Sequence, residues 1–270
     1  MELTIEQLMQ GKATRIKDKE YFTTEAYVTP FIDRVSKMTD NFIINAKPAD
    51  QISLTKDGEI NFDDVIYNRV WIQGVLPDEY AWDNHKRVIS MIYALDTRKP
   101  LVKFYVGALN MACLNLCVFN PEMLNVSELE PESAINYSFL RNAMSMTDET
   151  NLMLKKLSEM EYKKDDIYAD LGHWVDNCIN SKINMGFGSV KLAESAPIDV
   201  YKDLFYDEKS KYYTTDNVVD GFTVYNAFTD LITQDKRDLV NKFEKTLLIK
   251  DVMGIRVSSG RSRRSGGKSI

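Results

Sequence analysis

Asn68-Arg-Val-Trp-Ile-Gln-Gly-Val-Leu76, Arg87-Val-Ile-Ser-Met-Ile-Tyr-Ala-Leu95 and Leu101-Val-Lys-Phe-Tyr-Val106 decide how this chain folds. The first alternates polar and apolar side chains, as a strand with two unlike faces does. The other two are rich in Val, Ile, Phe and Tyr, which suit a pleated surface. Asp96-Thr-Arg-Lys-Pro100 separates them as a turn. Together they predict an antiparallel meander. Before it, Phe42-Ile-Ile-Asn45 and Ile52-Ser-Leu54 read as shorter strands, and Lys56-Asp-Gly-Glu59 as a hairpin-closing turn. After it, Ala108 to Val118 reads as a mostly buried helix stopped near Asn120-Pro121.

On the N-terminal side, Ala26, Phe31, Ile32, Val35 and Met38 follow helical spacing, with Thr23 or Thr24 available as N-cap. Pro30 predicts a helix that begins near itself rather than one that runs through it. Residues 1–22 are polar and mixed in charge and read as a short helical or irregular arm. The second half reads as helical. Its segments are Ser133–Met146, a helix capped by Thr147 through Leu152, Leu154, Leu157 and Met160, Ile167–Ile183, and Ile198–Phe205 behind Pro197. Val224, Phe228, Leu231 and Ile232 form one apolar stripe; Leu239, Val240, Phe243 and Leu247 form the next. The expected class is α+β: an N-terminal antiparallel β-meander with helices, a helical C-terminal half and a disordered basic tail. The expected organisation is an arm (1–22), a single domain (23–253, sheet-rich over 23–121 and helical over 122–253) and a Gly/Ser/Arg tail (254–270).

At 270 residues, with 44% hydrophobic and 27% charged side chains, the composition excludes a wholly disordered chain, a collagen-like repeat and a disulfide scaffold. Charge is placed unevenly. The formal net charge is −6. Residues 254–270 hold Arg256, Arg261, Arg263, Arg264 and Lys268 without an acid, so removing that +5 leaves −11 on the body. The first residues lack a basic region followed by an apolar core, so no secretory signal is read. The longest charge-free apolar stretch, Phe104–Pro121, is broken by Asn110, Asn115 and Asn120 and falls short of the roughly 20 residues that cross a bilayer. Three cysteines, Cys113, Cys117 and Cys178, predict reduced thiols in a cytoplasm, and no membrane partner is expected.

No motif names a catalytic residue, a cofactor or a metal site. His85 and His173 are far apart in sequence, and Cys113 and Cys117 read as two small core side chains on one helix face. Met185-Gly-Phe-Gly-Ser189 lacks the third glycine and the preceding strand of a dinucleotide site, and reads as a loop between helices. Of the many carboxylates, Asp78, Glu79 and Asp83 share one loop after a strand and are the best candidates for a two-metal nuclease; a solvated acidic loop is the plainer reading. Aromatic and basic residues interleave across the meander: Tyr67, Arg69, Trp71, His85, Lys86, Arg87, Tyr93, Arg98, Lys99, Lys103 and Tyr105. A single-strand platform needs that mixture, because base stacking and phosphate contacts alternate along the strand. Cross-strand core packing is the plainer account of the aromatics. The tail's arginines suit salt-dependent phosphate contacts.

Ile92-Tyr-Ala-Leu-Asp-Thr-Arg-Lys-Pro-Leu-Val-Lys-Phe-Tyr105, then Asn110-Met-Ala-Cys-Leu-Asn-Leu-Cys117, and later Gly221-Phe-Thr-Val-Tyr-Asn-Ala-Phe-Thr-Asp-Leu-Ile-Thr233, together resemble the phage/plasmid-related family built on domain of unknown function 932. The resemblance covers roughly residues 68–253 and is carried by Cys113-Leu-Asn115 and Tyr225-Asn226. Where that family has an Asn-Ser-His-Asp-Gly-type turn, this chain has Asp96-Thr-Arg-Lys-Pro100. It implies a mobile-element origin and no particular reaction. Asn115 and Asn226 also read as buried amides that tie backbone groups together.

The leading expectation is a non-catalytic phage- or plasmid-type protein that binds single-stranded DNA in replication or recombination, with homo-oligomerisation as a corollary. Its contacts would be Arg69, Trp71, Lys86, Arg87, Arg98, Lys99, Lys103, Arg256, Arg261, Arg263, Arg264 and Lys268. Two alternatives stand beside it: a module that docks a host or phage protein through the acidic body, and a metal-dependent nuclease.

Overall fold

The computed structural model describes residues 2–10, 14–16, 20–22, 24–48, 54–62, 65, 67–78, 84–94, 101–110, 116–117, 125–126, 150–184, 189–234 and 239–255. Its first half is built on an antiparallel sheet. The long strands are β4 (Phe42–Pro48), β5 (Tyr67–Val75), β6 (His85–Ala94) and β7 (Leu101–Asn110). The short strand β1 (Glu2–Leu3) pairs with β4 at one edge, and β8 (Leu116–Cys117) and β9 (Asn125–Val126) both pair with β7. The predicted meander is therefore present, with Ile72 opposite Met91 and Met91 opposite Phe104. A separate hairpin joins β2 (Thr14–Ile16) to β3 (Glu20–Phe22). The Lys56–Glu59 turn also forms: Leu54 bridges Ile60, and Gly58 adopts φ +82°, open to glycine at no steric cost.

Period-two alternation puts Ile44, Ala46, Val70, Ile72, Ile89, Met91, Phe104 and Val106 on one face of the sheet. Helices α1 (Ile5–Gln10) and α2 (Thr24–Val35) cover it with Leu8, Val28, Phe31 and Val35. Phe31 stacks on Phe104 at 5.9 Å between ring centroids. The residues expected to form an arm thus supply an edge strand and a fully buried leucine. Pro30 lies inside α2, contrary to the expected start near it. A proline within a helix costs about 3 kcal/mol. Full burial of Val28, Phe31 and Val35, at roughly 1.5–3 kcal/mol each, outweighs that cost. The end of α2 lies so close to β5 that a Cβ on Gly74 would overlap Val35 Cγ1.

The helix expected over Ala108–Val118 is not formed as such. Strand β7 continues to Asn110, and Leu116–Cys117 returns as β8, with Ala108 opposite Arg87 on one side and Cys117 on the other. Ladder pairing on both flanks overrides a weak helical pattern. Cys117 is therefore a strand residue and does not share a helix face with Cys113, which lies outside the described residues.

The second half is helical. Residues 150–159 form α3, followed by α4 (Lys164–Asn180), α5 (Ala196–Phe205, with proline in its first turn), α6 (Gly221–Gln234) and α7 (Leu239–Val252). The expected helix over Ser133–Met146 lies outside the described residues. Strands β10 (Glu161–Lys163) and β13 (Val218–Asp220) pair antiparallel and set the starts of α4 and α6 side by side. Asp220 caps α6: its carboxylate accepts from the Thr223 amide and from the Thr223 hydroxyl, both at 2.8 Å. The Gly-x-Gly segment, read as a plain loop, is flanked by a hairpin of β11 (Ile183–Asn184) and β12 (Ser189–Val190). Trp174 of α4 centres the second core, 6.1 Å from Tyr162 and 5.8 Å from Phe228 between ring centroids. Ala108 of β7 joins that core, so the sheet and the helical half share an interior.

Candidate functional site

Burial decides which residues of the expected single-strand platform are accessible. Trp71 is 6% exposed and Arg87 is 0% exposed. Neither can stack on a base or reach a phosphate in this fold, which corrects the expectation for both. Register explains Trp71: the sheet face it shares with Gln73, Val75, Val88, Ser90 and Ile92 is itself buried. Lys86 is accessible, but its ammonium pairs with Asp78 at 2.8 Å. Arg69 is half-buried on β5. Lys103 has a place in β7, opposite Ile92. Arg98, Lys99, Arg256, Arg261, Arg263, Arg264 and Lys268 lie outside the described residues, as do Glu79 and Asp83. Asp78 is thus engaged by a lysine, and among the described residues no cluster of His, Cys, Asp and Glu is arranged to hold a metal. Burial, then the charge of Glu194, pushes the Cys178 thiol up to about 11, so this cysteine stays protonated and inert near neutrality.

Arg87 belongs instead to a polar seam between the sheet and the helical half. It lies at the start of β6 with His85, whose ring meets Phe222 of α6 edge-on at 4.9 Å. From Phe222, helical spacing leads to Tyr225, Asn226 and Thr229. Residues 224–229 of α6 and 244–249 of α7 are buried continuously, so the polar side chains Asn226, Thr229, Glu244, Lys245 and Thr246 are enclosed with the apolar ones. Thr229 satisfies its hydroxyl by donating to the Asn226 carbonyl at 2.9 Å. Asn226 is a buried amide, as expected, and its Oδ1 has no hydrogen-bond partner among the described residues. Across the sheet, the register partners Gln73 and Ser90 likewise leave Nε2 and Oγ without a partner among the described residues.

The outer surface of the helical half has a different character. Between Asp165 and Asn180, helix α4 exposes Asp165, Asp166, Asp170 and Asp176 and contains no lysine or arginine. Tyr168 and Tyr206 are 67% and 62% exposed, on either side of the buried Tyr201 at 5.8 and 5.6 Å between ring centroids. Lys164 Nζ lies 4.3 Å from the Tyr206 centroid and 5.4 Å from that of Phe205, so these rings already receive a cation. On α5, burial and then the charges of Asp207, Asp199 and Asp230 raise the Asp203 carboxyl above its ordinary range. The sequence signalled the acids but not the tyrosines, because ring exposure depends on how α4 and α5 pack.

No family model matches the chain, and neither the curated proteins nor the solved structures contain a detectable relative. No described helix is long and apolar enough to cross a membrane.

Proposed function

We propose that this chain is a protein-interaction module that docks a basic partner on the acidic, tyrosine-bearing surface of its helical half. The observation that carries this reading is α4, with four exposed aspartates and no lysine or arginine from Asp165 to Asn180, beside the exposed rings of Tyr168 and Tyr206. Such a surface steers a cationic partner by long-range attraction and retains it through carboxylate and ring contacts. Tyrosine is enriched where protein partners meet, since its ring buries a large area while its hydroxyl stays wet. The resemblance at Cys113-Leu-Asn115 and Tyr225-Asn226 supports placing this activity in a phage or plasmid protein acting in a bacterial cytoplasm.

A second reading is favoured by the five cations and no acid of residues 254–270. On it, the tail tracks the phosphates of single-stranded DNA, Arg69 and Lys86 contribute from the sheet, and homo-oligomerisation follows on the strand.

Fluorescence anisotropy on the full chain separates the two, using a labelled arginine-rich peptide of unrelated sequence and a labelled single-stranded oligonucleotide. Replacing Asp165, Asp166, Asp170 and Asp176 by Asn should weaken peptide binding by about tenfold, given a few tenths of a kcal/mol from each exposed charge. Peptide affinity unchanged by these four substitutions would sink the interaction reading. Oligonucleotide binding lost on replacing Arg261, Arg263 and Arg264 by Gln would favour the second.

A further inference from the structure

We infer that the docking face takes a basic amphipathic helix, which lies along the junction of α4 and α5 with its apolar stripe on Tyr168, Gly172 and Ile198 and its cations against Asp165 and Asp176. This deepens the reading of that face as a cation-receiving surface and rests on it.

Helical spacing sorts the exposed residues of α4 into two flanks. Asp165, Tyr168, Gly172, Asp176 and Ile179 follow one another by three or four positions and share one flank. Asp166, Asp170 and His173 share the other. The Tyr168 ring lies against Tyr201 of α5, so it is the first flank that borders α5.

The two helices run antiparallel there. Lys164 meets Phe205 and Tyr206, and Tyr168 meets Tyr201. One further turn brings Gly172 level with Pro197 and Ile198. Apolar side chains are open along this line: Tyr206 and Tyr168 at one end, Ile198 at 42% exposed, and Ile179 at 37%. Among them is a notch, since a Cβ on Gly172 would meet nothing within 4 Å. Gly172 has no positive φ that would require glycine, and only proline is a poorer helix former. A bare backbone at that point lets a second helix approach more closely than a side chain would allow.

Charge and shape together select the occupant. Asp165 and Asp176 bracket Tyr168 and Gly172 on the α4 side, whereas the α5 side carries the exposed Lys202. The attraction is therefore one-sided and turns the partner's basic flank toward α4. Lysine and arginine on that flank extend the apolar contact with their stems while their heads reach the carboxylates. An extended basic segment would point alternate side chains away and cover the apolar line only in part. Asp165 and Ile179 are fourteen positions apart, about 21 Å, which suits a partner helix of about four turns.

The test is fluorescence anisotropy on the full chain with two labelled peptides of identical composition. One has leucines at alternating three- and four-residue spacing with lysines between them; the other is scrambled to remove that period. The periodic peptide should bind about tenfold more tightly, because only it presents a continuous apolar stripe. Asp165→Asn/Asp176→Asn should weaken it about fivefold and Asp166→Asn/Asp170→Asn less than about twofold, since the second pair lies on the other flank. Gly172→Leu, which fills the notch without meeting a neighbour, should weaken it about tenfold while the melting temperature holds or rises. Equal affinity for the two peptides, or equal losses from the two asparagine pairs, would overturn the helical occupant and leave the acidic docking face standing. No binding of either peptide would overturn both.

Discussion

The two halves of the molecule build their interiors by different rules. Between the sheet and α1–α2, the core is made from alternate strand residues and one helical stripe: Leu8, Val28, Phe31, Ile72, Met91, Phe104 and their neighbours. In the helical half, α6 and α7 are enclosed on every side over 224–229 and 244–249, and Asn226, Thr229 and Glu244 are enclosed with them. At the join, His85 and Arg87 are carried inside on a sheet strand. A strand hides one face and can leave the other to solvent; a central helix has no side left for its polar residues. The sheet face toward α1 and α2 therefore gains stability mainly from apolar burial. The helical core, like the opposite sheet face with Gln73 and Ser90, gives some back, since a buried polar atom without a partner costs about 1–3 kcal/mol.

The strongest way to break this comparison is Phe31→Ala. Loss of a fully buried ring that stacks on Phe104 should cost about 3–5 kcal/mol, read as a lower urea midpoint at unchanged slope. A loss below about 1 kcal/mol would mean that the sheet core is not packed as described. In the helical core the loss should be much smaller. Asn226→Ala removes a buried oxygen that has no partner among the described residues, so it should cost no more than about 1–2 kcal/mol; a loss near that of Phe31→Ala would reveal a hydrogen bond to that amide.

The smallest effect lies on the surface of α5. Asp203 is raised above its ordinary range by burial and by Asp207, Asp199 and Asp230. A carboxyl with a raised folded pKa favours the folded state while it is protonated and loses that contribution as pH rises through the folded value. Asp203→Asn should therefore raise the melting temperature at pH 7, and the difference should shrink as pH falls into the carboxylate range. A gain that stays constant with pH would assign the effect to packing instead of charge.

Much of the framework was legible before any coordinates. The meander was readable because alternation is a property of the backbone, whose side chains point to opposite faces in turn. Helices α4 to α7 were readable from 3.6-residue spacing, and the start of α5 from Pro197. The misreadings have one cause. Ala108–Asn110 looked helical because its apolar run is compatible with either structure, and only pairing with Arg87 and Cys117 makes it a strand. Trp71 and Arg87 looked like a nucleic-acid platform because alternation shows that a strand has two faces without showing what covers each. Pro30 looked like a helix start because its penalty is local, whereas the burial that outweighs it comes from the sheet.

The sequence by itself determined the strand and helix periods, the acidic body, the basic tail and the order of sheet before helices, all of which depend on composition and on spacing along the backbone. Only the tertiary structure decided that Arg87 is enclosed, that α6 and α7 are central, and that Tyr168 and Tyr206 are left open on the surface. Burial is a relation between segments distant in the chain, and no local pattern records which of them will meet.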